Sequence, residues 1–383
     1  MHDRVIFLSE PLLSTEFVQH HLVVPLAARL AAWFSVGIAA PALAADVRAE
    51  LATVGVDAID GGAWFPPPRS PRDEAPSYTL AWSREAMAGL NSRLLERVLR
   101  GQDGFRVNIS MTNAAQSDLW YIQSRPLPDA LRSMAPAFRP GLRVAIRAGQ
   151  PLVEMLDRRL CRRAAARARV RYSSSRHVAE LYGRAGFAVD GVIPSFVYPD
   201  SWTPSTARPS RDYVLGYLGK ETDTEALGEL SALGFPVKVF GSKSAGWIDD
   251  LPRTTGPTRV ERLGRVSHEQ LVNLYTNALF TAFPFTEESF GLVPIESMAC
   301  GTPVLTYAMQ GPAETVADRE TGWLARDRSD LVSIAREVVR TGLPAGMPAA
   351  CIARAGRFRL GSVAEAWRAM LRSRLDRGPS ARG

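Results

Sequence analysis

The sequence predicts an α/β protein built from two domains. Its 383 residues are enough for two domains of ordinary size, and 46% hydrophobic with 22% charged residues is typical of a globular chain. In both halves, short apolar runs alternate with helical patterns, which is typical of βαβ units on a parallel sheet. A stretch rich in Ser, Thr and Pro at 199–209 separates the halves and predicts the domain boundary.

The N-terminal half opens with such an alternation. Residues 22–45 are apolar apart from Arg29, as in the core of a secretory leader. The residues before them carry acids and no basic cluster, so we expect a βαβ unit rather than a leader. The strands predicted in this half are 5–9, 34–39, 105–110, 119–123 and 144–147, and the predicted helices are 17–32, 42–54, 84–100 and 152–169.

A proline-rich segment at 61–76 is predicted to be a loop. It is either a flexible insertion or an acceptor-side loop, in which Trp64 and Phe65 stack on a sugar or a lipid.

The chain has a formal net charge of +7, and its basic residues are unevenly placed. Residues 139–176 contain eleven arginines and only two acids, Glu154 and Asp157. A solvated helix face would explain this charge, and so would peripheral contact with an anionic membrane. Nucleic acid is a third alternative, but the sequence shows no zinc finger or base-reading motif, so we expect no nucleic-acid partner.

Three cysteines, Cys161, Cys300 and Cys351, lack the spacing of a disulfide framework or a metal site. This pattern suits a reducing compartment, so we predict a cytoplasmic protein, with or without contact at the inner membrane face. We predict no metal ligands.

A strand, a turn, a helix and a second strand are predicted between residues 277 and 306. Residues 277–285 form an apolar run of strand length, and 304–306 begin another. The helix is predicted to begin near Phe290 or Gly291, which places Pro294 in its first turn. Gly301 stands where a helix commonly ends.

This turn has the chemistry of an anion site flanked by hydroxyl acceptors. Free backbone N–H groups and the macrodipole at a helix start attract phosphate, and Gly291 permits close approach. Glu288 and Glu296 repel phosphate, but they suit hydroxyl groups. A nucleotide-sugar has hydroxyls at both ends and phosphates between them. A pair of solvated glutamates on an ordinary amphipathic helix is the alternative.

The full string E-S-F-G-L-V-P-I-E-S-M-A-C-G-T-P-V from Glu288 resembles the donor-site signature of the retaining glycosyltransferases of family 4, the glycosyl transferases group 1. That resemblance implies the GT-B fold, in which two Rossmann-like domains face each other across a cleft and a C-terminal helix packs back on the N-terminal domain. The domains it implies are 1–200 on the acceptor side, 205–362 for the donor, and the returning helix 363–376.

Other segments of the second half extend the resemblance. In the family, the strand that corresponds to 213–217 usually ends Gly-Arg, with a lysine some residues later, and these two cations hold the donor phosphates. Tyr217 stands in place of the arginine, which leaves Lys220 as the favoured cation and Lys243 as a weaker candidate. Val266 matches the family's nucleobase loop.

Other segments fit the resemblance less evenly. Gln310 and Gly311 resemble the start of a Gly-Gly-x-x-Glu segment, and Gly311 is predicted to mark a turn near the donor. The family's glycine-rich loop after the first strand is absent from residues 9–15. Arg147 is the candidate for the place of the family's N-domain histidine.

The resemblance implies a metal-independent, retaining hexosyl transfer without a bound cofactor, of the kind used in carbohydrate biosynthesis. The co-substrate is a nucleotide-sugar such as UDP- or GDP-hexose, and the acceptor is a glycan, a lipid-linked sugar or a small glycoside. Glu288 orients the sugar, Lys220 stabilises the leaving diphosphate and Glu296 accepts from ribose. The remaining implied donor contacts are Gly219, Lys243, Val266, Ser289, Phe290, Gly291 and Leu292.

Other functions remain open on the residues alone. An epimerase acting on nucleotide-sugars would share the fold, and a donor-binding protein without catalysis is suggested by Tyr217. A basic scaffold for membrane or nucleic acid would not need Glu288.

Overall fold

The structure is a computed structural model that describes residues 3–15, 18–63, 79–111, 113–134, 140–219, 221–241 and 260–376. The chain divides into two compact units, of which the first comprises Met1–Asp129, Ala148–Phe196 and Leu360–Gly383. The second unit comprises Ala130–Arg147 and Val197–Arg359. Lys220, Lys243, and Trp64 and Phe65 of the predicted loop segment lie outside the described residues.

Each unit contains one parallel sheet. The first sheet has the order β3-β2-β1-β4-β5-β6-β7, and the second has the order β10-β9-β8-β11-β12-β13. The strands are β1 Arg4–Leu8, β2 Ser35–Ala40, β3 Asp57–Asp60, β4 Phe105–Asn108, β5 Ser117–Ile122, β6 Ala168–Ser173, β7 Gly191–Val192, β8 Tyr213–Tyr217, β9 Val237–Phe240, β10 Val260–Gly264, β11 Ala278–Phe283, β12 Val304–Tyr307 and β13 Gly322–Ala325.

Helices connect these strands. They are α1 Val18–Leu30, α2 Ala45–Thr53, α3 Thr79–Val98, α4 Leu127–Met134, α5 Pro140–Arg167, α6 Arg176–Arg184, α7 Thr224–Ser231, α8 His268–Asn277, α9 Leu292–Ala299, α10 Pro312–Thr315, α11 Arg328–Thr341, α12 Met347–Gly356 and α13 Leu360–Leu375.

The predicted α/β class is confirmed by both sheets. Strand β1 is central in the first sheet, and its residues from Val5 to Leu8 are fully buried because helices cover both faces. The predicted strands near 5–9, 34–39, 105–110 and 119–123 correspond to β1, β2, β4 and β5.

The predicted strand at 144–147 is wrong, because these residues lie inside α5. A three-residue apolar run fits a strand or one turn of a helix equally well, so periodicity alone could not decide. Pro140 stands at the first position of the helix, where its missing N–H costs little. Arg147 is therefore an exposed helical residue rather than one at a strand end.

The C-terminal helix α13 packs into the core of the first unit, as the resemblance implied. Trp367 is 1% exposed and meets the rings of Phe7 and Tyr121 edge to face, at centroid distances of 6.0 and 4.8 Å. Edge-to-face contacts add about 0.5–1.5 kcal/mol each to the burial of such rings. The last helix therefore completes the core that the N-terminal strands begin.

The second sheet has the strand order of a Rossmann domain. Numbered from β8, its order is 3-2-1-4-5-6, and the direction of winding reverses between β8 and β11. All six residues of β11 are buried, which explains the unbroken apolar run in the sequence. Ser267 and Gln270 form a capping box at the start of α8.

Candidate functional site

The strand order points to the carboxyl ends of β8 and β11. In an open parallel sheet, ligands bind outside the carboxyl ends of the strands where the winding reverses. The loop after β8 contains Gly219, and the loop after β11 runs from Pro284 to Gly291. Five of the residues predicted to hold the donor therefore lie on two adjacent loops at one edge of this sheet: Gly219, Glu288, Ser289, Phe290 and Gly291.

Hydrogen bonds tie these two loops together. The backbone N–H of Asp223 donates to the carbonyl of Pro284 at 2.8 Å, and Thr222 pairs with Phe285 in an antiparallel bridge. The N–H of Gly219 donates to Oγ1 of Thr222 at 2.8 Å. The bond from Asp223 and the bridge at Thr222 therefore join the loop after β8 to the loop after β11.

Aromatic rings fill the space beneath the loops. Tyr217 stacks on Phe285 with centroids 5.6 Å apart and an interplanar angle of 12°. A Cβ added at Gly219 would lie 2.8 Å from the Phe285 ring, and one at Gly241 would lie 2.7 Å from the Tyr217 ring. Glycine is therefore required at both positions by the rings packed against them.

Tyr217 occupies the position where the resemblance places an arginine. Its ring is one of the aromatic rings packed against Gly219 and Gly241. The position therefore supplies an apolar surface and no positive charge. Lys238 lies 3.7 Å from Glu261 and 4.4 Å from the centroid of the Tyr213 ring, so this lysine has partners on the sheet. Lys220 follows Gly219 directly in the sequence, but its side chain is outside the described residues.

Helix α9 begins at Leu292, one or two residues later than predicted. Gly291 is its N-cap with φ of 94°, a left-handed conformation that favours glycine. Gly301, at φ 77°, follows the C-cap Cys300 and ends the helix as predicted. Pro294 lies in the first turn and is buried.

Glu288 folds back on the helix start. Its Oε1 accepts a hydrogen bond from the N–H of Phe290 at 3.2 Å. The resemblance implies that this N–H contacts the donor phosphate, whereas in this structure it is bonded to the Glu288 carboxylate. The carboxylate accepts from a backbone donor beside the N-terminus of α9, an arrangement that stabilises negative charge.

The loop after β12 bonds to the backbone of Glu288. The N–H of Glu288 donates to Oε1 of Gln310 at 2.7 Å, and the N–H of Gly311 donates to the Glu288 carbonyl at 3.1 Å. A Cβ added at Gly311 would lie 2.4 Å from the Cα of Phe290, so the two backbones approach too closely for any side chain. The predicted turn at Gly311 is thus beside Glu288, and the role of the Gln310 side chain was missed.

Glu296 lies in the second turn of α9. It accepts a hydrogen bond from the hydroxyl of Tyr275 at 3.2 Å, and burial raises its pKa to about 7. Burial, together with the Glu296 charge, also raises the pKa of Tyr275 well above its ordinary value.

The remaining predicted residues lie around this edge. Ser289 and Leu292 are half-buried on either side of the buried pair Phe290 and Gly291. Val266 follows β10, and packs half-buried against the core of the second unit. Within the described ranges, no group of three or more His, Cys, Asp or Glu side chains is placed to hold a metal ion. The described helices include none both long and apolar enough to cross a membrane.

Comparison with known proteins supports the predicted resemblance of the second unit to the glycosyl transferases group 1. The family model for glycosyl transferases group 1 matches residues 253–341. Curated relatives named D-inositol 3-phosphate glycosyltransferase are 36% identical over 142 residues in Mycobacteroides abscessus and 31% identical over 170 residues in Mycobacterium bovis. These alignments cover 34% and 39% of this chain, and 32% and 35% of the relatives. The chain thus spans about a third of the length of these relatives.

Solved structures resemble the chain over nearly its whole length. HepE from Anabaena, solved in complex with UDP, has a TM-score of 0.65 at 15% identity, covering 97% of this chain and 100% of that one. Sucrose-phosphate synthase from Thermosynechococcus elongatus has a TM-score of 0.62 at 18% identity, covering 98% and 100%. At such identities the likeness concerns the fold, which is GT-B. The predicted resemblance to glycosyltransferase family 4 is confirmed.

Proposed function

We propose that this protein is a retaining glycosyltransferase, which moves a hexose from a nucleotide-diphosphate-sugar to an acceptor hydroxyl. The observation that carries the proposal is the position of Glu288. It lies in the loop after the carboxyl end of β11, beside the reversal point of the second sheet, and its backbone is bonded to the Gln310 side chain and to the N–H of Gly311. The family match over 253–341 includes this segment.

The proposed step needs no chemical group other than those of the two substrates. The acceptor oxygen forms a bond to the anomeric carbon on the face from which the diphosphate leaves, so the configuration is retained. The bond between that carbon and the phosphate oxygen breaks, and its electron pair stays on the diphosphate. The acceptor proton passes to a leaving phosphate oxygen. The protein supplies position and electrostatic stabilisation.

The donor diphosphate would lie over the start of α9, where Gly291 is the N-cap and the helix dipole favours an anion. Phe290 donates to Glu288, so its N–H contacts phosphate only if the Glu288 carboxylate turns towards the sugar. Such a turn would couple donor binding to the release of that carboxylate for the sugar hydroxyls. Lys220 would stabilise the leaving group, with Lys243 as a second cation.

Glu296 and Val266 would define the nucleoside end of the site. Ionised Glu296 would accept from the ribose hydroxyls, and Val266 would contact the base. HepE was solved in complex with UDP, which supports testing UDP before GDP as the nucleotide of the donor. The names of the curated relatives make inositol 3-phosphate one acceptor to include beside glycans and lipid-linked sugars.

Contact with an anionic membrane is part of the proposal, and it would place the enzyme at the inner face. Helix α5 exposes arginines together with apolar residues, since Leu152 is 47% and Met155 is 57% exposed. Arg158 and Arg162 are exposed on the following turns. Each basic residue near such a surface contributes about 1 kcal/mol of attraction, and apolar neighbours add insertion.

Transfer assays distinguish the proposed function from its alternatives. The protein is incubated with UDP- and GDP-hexoses, with and without an acceptor panel, and the products are followed by proton NMR. We expect acceptor-dependent product with the donor's anomeric configuration. Altered nucleotide-sugar without acceptor would indicate an epimerase, and nucleotide binding without turnover would indicate a binding protein.

Variants locate the activity at the proposed site. Glu288→Gln removes the carboxylate charge while keeping a side-chain oxygen for the Phe290 N–H. We expect a large fall in kcat with the fold retained. The matched control is Glu269→Gln, because Glu269 is exposed on α8 and is not part of the site. Full activity in Glu288→Gln would contradict the site.

A further inference from the structure

Three hydrogen bonds join the loop after β12 to the loop that carries Glu288. Gln310 Oε1 accepts from the N–H of Glu288 at 2.7 Å, and Gln310 Nε2 donates to the carbonyl of Thr286. The N–H of Gly311 donates to the Glu288 carbonyl at 3.1 Å. One glutamine side chain therefore bonds to the backbone on both sides of residue 287.

The backbone at Gln310 is unusual for a residue with a side chain. Its φ is 63°, in the left-handed region that disfavours a Cβ. The related family segment begins Gly-Gly, and glycine would adopt this conformation without strain. A glutamine at such a position costs conformational free energy. Its side chain, unlike a glycine, can bond to the backbone of residues 286 and 288.

The bonds from Gln310 and Gly311 hold the backbone of Glu288, the residue proposed to orient the sugar. A carboxylate side chain is aimed by its own backbone, and the Glu288 backbone is held at its N–H by Gln310 and at its carbonyl by Gly311. The Glu288 carboxylate is then held against the N–H of Phe290. Small errors in the position of a catalytic group are costly, since a 1 Å displacement lowers rates by about 100-fold.

We infer that Gln310 is a positioning residue, which acts on the reaction through Glu288. The inference rests on the proposed function for its kinetic consequences. Its structural part, the clamp on the backbone of residues 286–288, can be measured independently of any activity.

Two variants separate the hydrogen bonds from the backbone strain. Gln310→Gly relieves the left-handed strain and removes the bonds, whereas Gln310→Met keeps the strain and the side-chain length but removes the bonds. If the bonds position Glu288, both variants lose kcat by about 10- to 100-fold, while the KM for the donor changes much less. Unchanged kcat in both variants would overturn the inference.

A double-mutant cycle tests whether the effect passes through Glu288. In a Glu288→Gln background, Gln310→Gly should cause little further loss of kcat, because the group it positions is already altered. Full additivity of the two losses would overturn the inference, since it would show that Gln310 acts elsewhere. A variant that lost kcat and donor affinity in the same proportion would also contradict a positioning role.

Hydrogen exchange keeps the inference testable if no transfer activity is found. In the wild type, the amide of Glu288 is bonded to Gln310 and should exchange slowly within a peptide covering 286–290. Gln310→Gly should speed this exchange and leave β11 protected. Equal exchange in wild type and variant would refute the clamp. Fast exchange in the variant without any turnover in the wild type would refute the proposed function alone.

Discussion

The raised pKa of Glu296 predicts how the stability of the protein depends on pH. The carboxyl is bonded to the Tyr275 hydroxyl, and burial raises its pKa from an ordinary value of 4.5 to about 7. An acid that holds its proton more tightly when folded stabilises the fold fully below its unfolded pKa. That contribution is lost as the pH rises through about 7.

The size of the effect follows from the shift. Between 4.5 and about 7 the folded state holds the proton more tightly, and each pH unit of difference is worth about 1.4 kcal/mol. Wild-type protein should therefore lose at most about 3 kcal/mol of unfolding free energy from this group between pH 4.5 and pH 8. Glu296→Gln keeps an oxygen for the Tyr275 hydroxyl and has no proton to lose.

Urea unfolding measured at pH 5 and pH 8, and followed by tryptophan fluorescence, tests this reasoning. Relative to wild type, Glu296→Gln should be more stable at pH 8 than at pH 5, by up to about 3 kcal/mol. Glu337→Gln is the matched control, because Glu337 is exposed on α11 and should leave the pH dependence unchanged. An identical pH dependence in wild type and Glu296→Gln would refute the assigned burial of this carboxyl.

Three further predictions concern the site and the fold. Gly311→Ala should abolish donor binding, because its Cβ would lie 2.4 Å from the Cα of Phe290, and a nucleotide titration with wild-type affinity would contradict that contact. Trp367→Ala should lower the unfolding free energy by about 3–5 kcal/mol, measured in urea, since the ring is buried against Phe7 and Tyr121; a loss under 1 kcal/mol would contradict the packing of α13. EDTA treatment should leave the transfer rate unchanged, and a loss restored by a divalent cation would contradict metal independence.

The sequence was most informative where local and tertiary preferences agree. The apolar run of β11 is fully buried, and Gly291 and Gly301 bound α9 as the glycine pattern predicted. In the run at 144–147, short length left helix and strand equally plausible, and the helix from Pro140 prevailed.

Contacts between distant residues could not be predicted in this way. Gln310 is 22 residues from Glu288 in the sequence, and nothing in the pattern of either segment indicates that they bond. The same holds for Tyr217. The sequence shows only that it replaces the family's arginine, whereas in the structure its ring stacks on Phe285 and packs next to Gly219. The bond from the Phe290 amide to the Glu288 carboxylate could not be predicted either, because the sequence does not specify the rotamer of that side chain.

The most direct test of the account is a crystal structure of the protein with a bound nucleotide diphosphate, beginning with UDP. The account predicts that the diphosphate lies against the backbone amides at the start of α9, between the loops that follow β8 and β11, with the ribose hydroxyls at Glu296. Nucleotide bound at another edge of either sheet, or no binding of any nucleotide diphosphate at millimolar concentration, would contradict it.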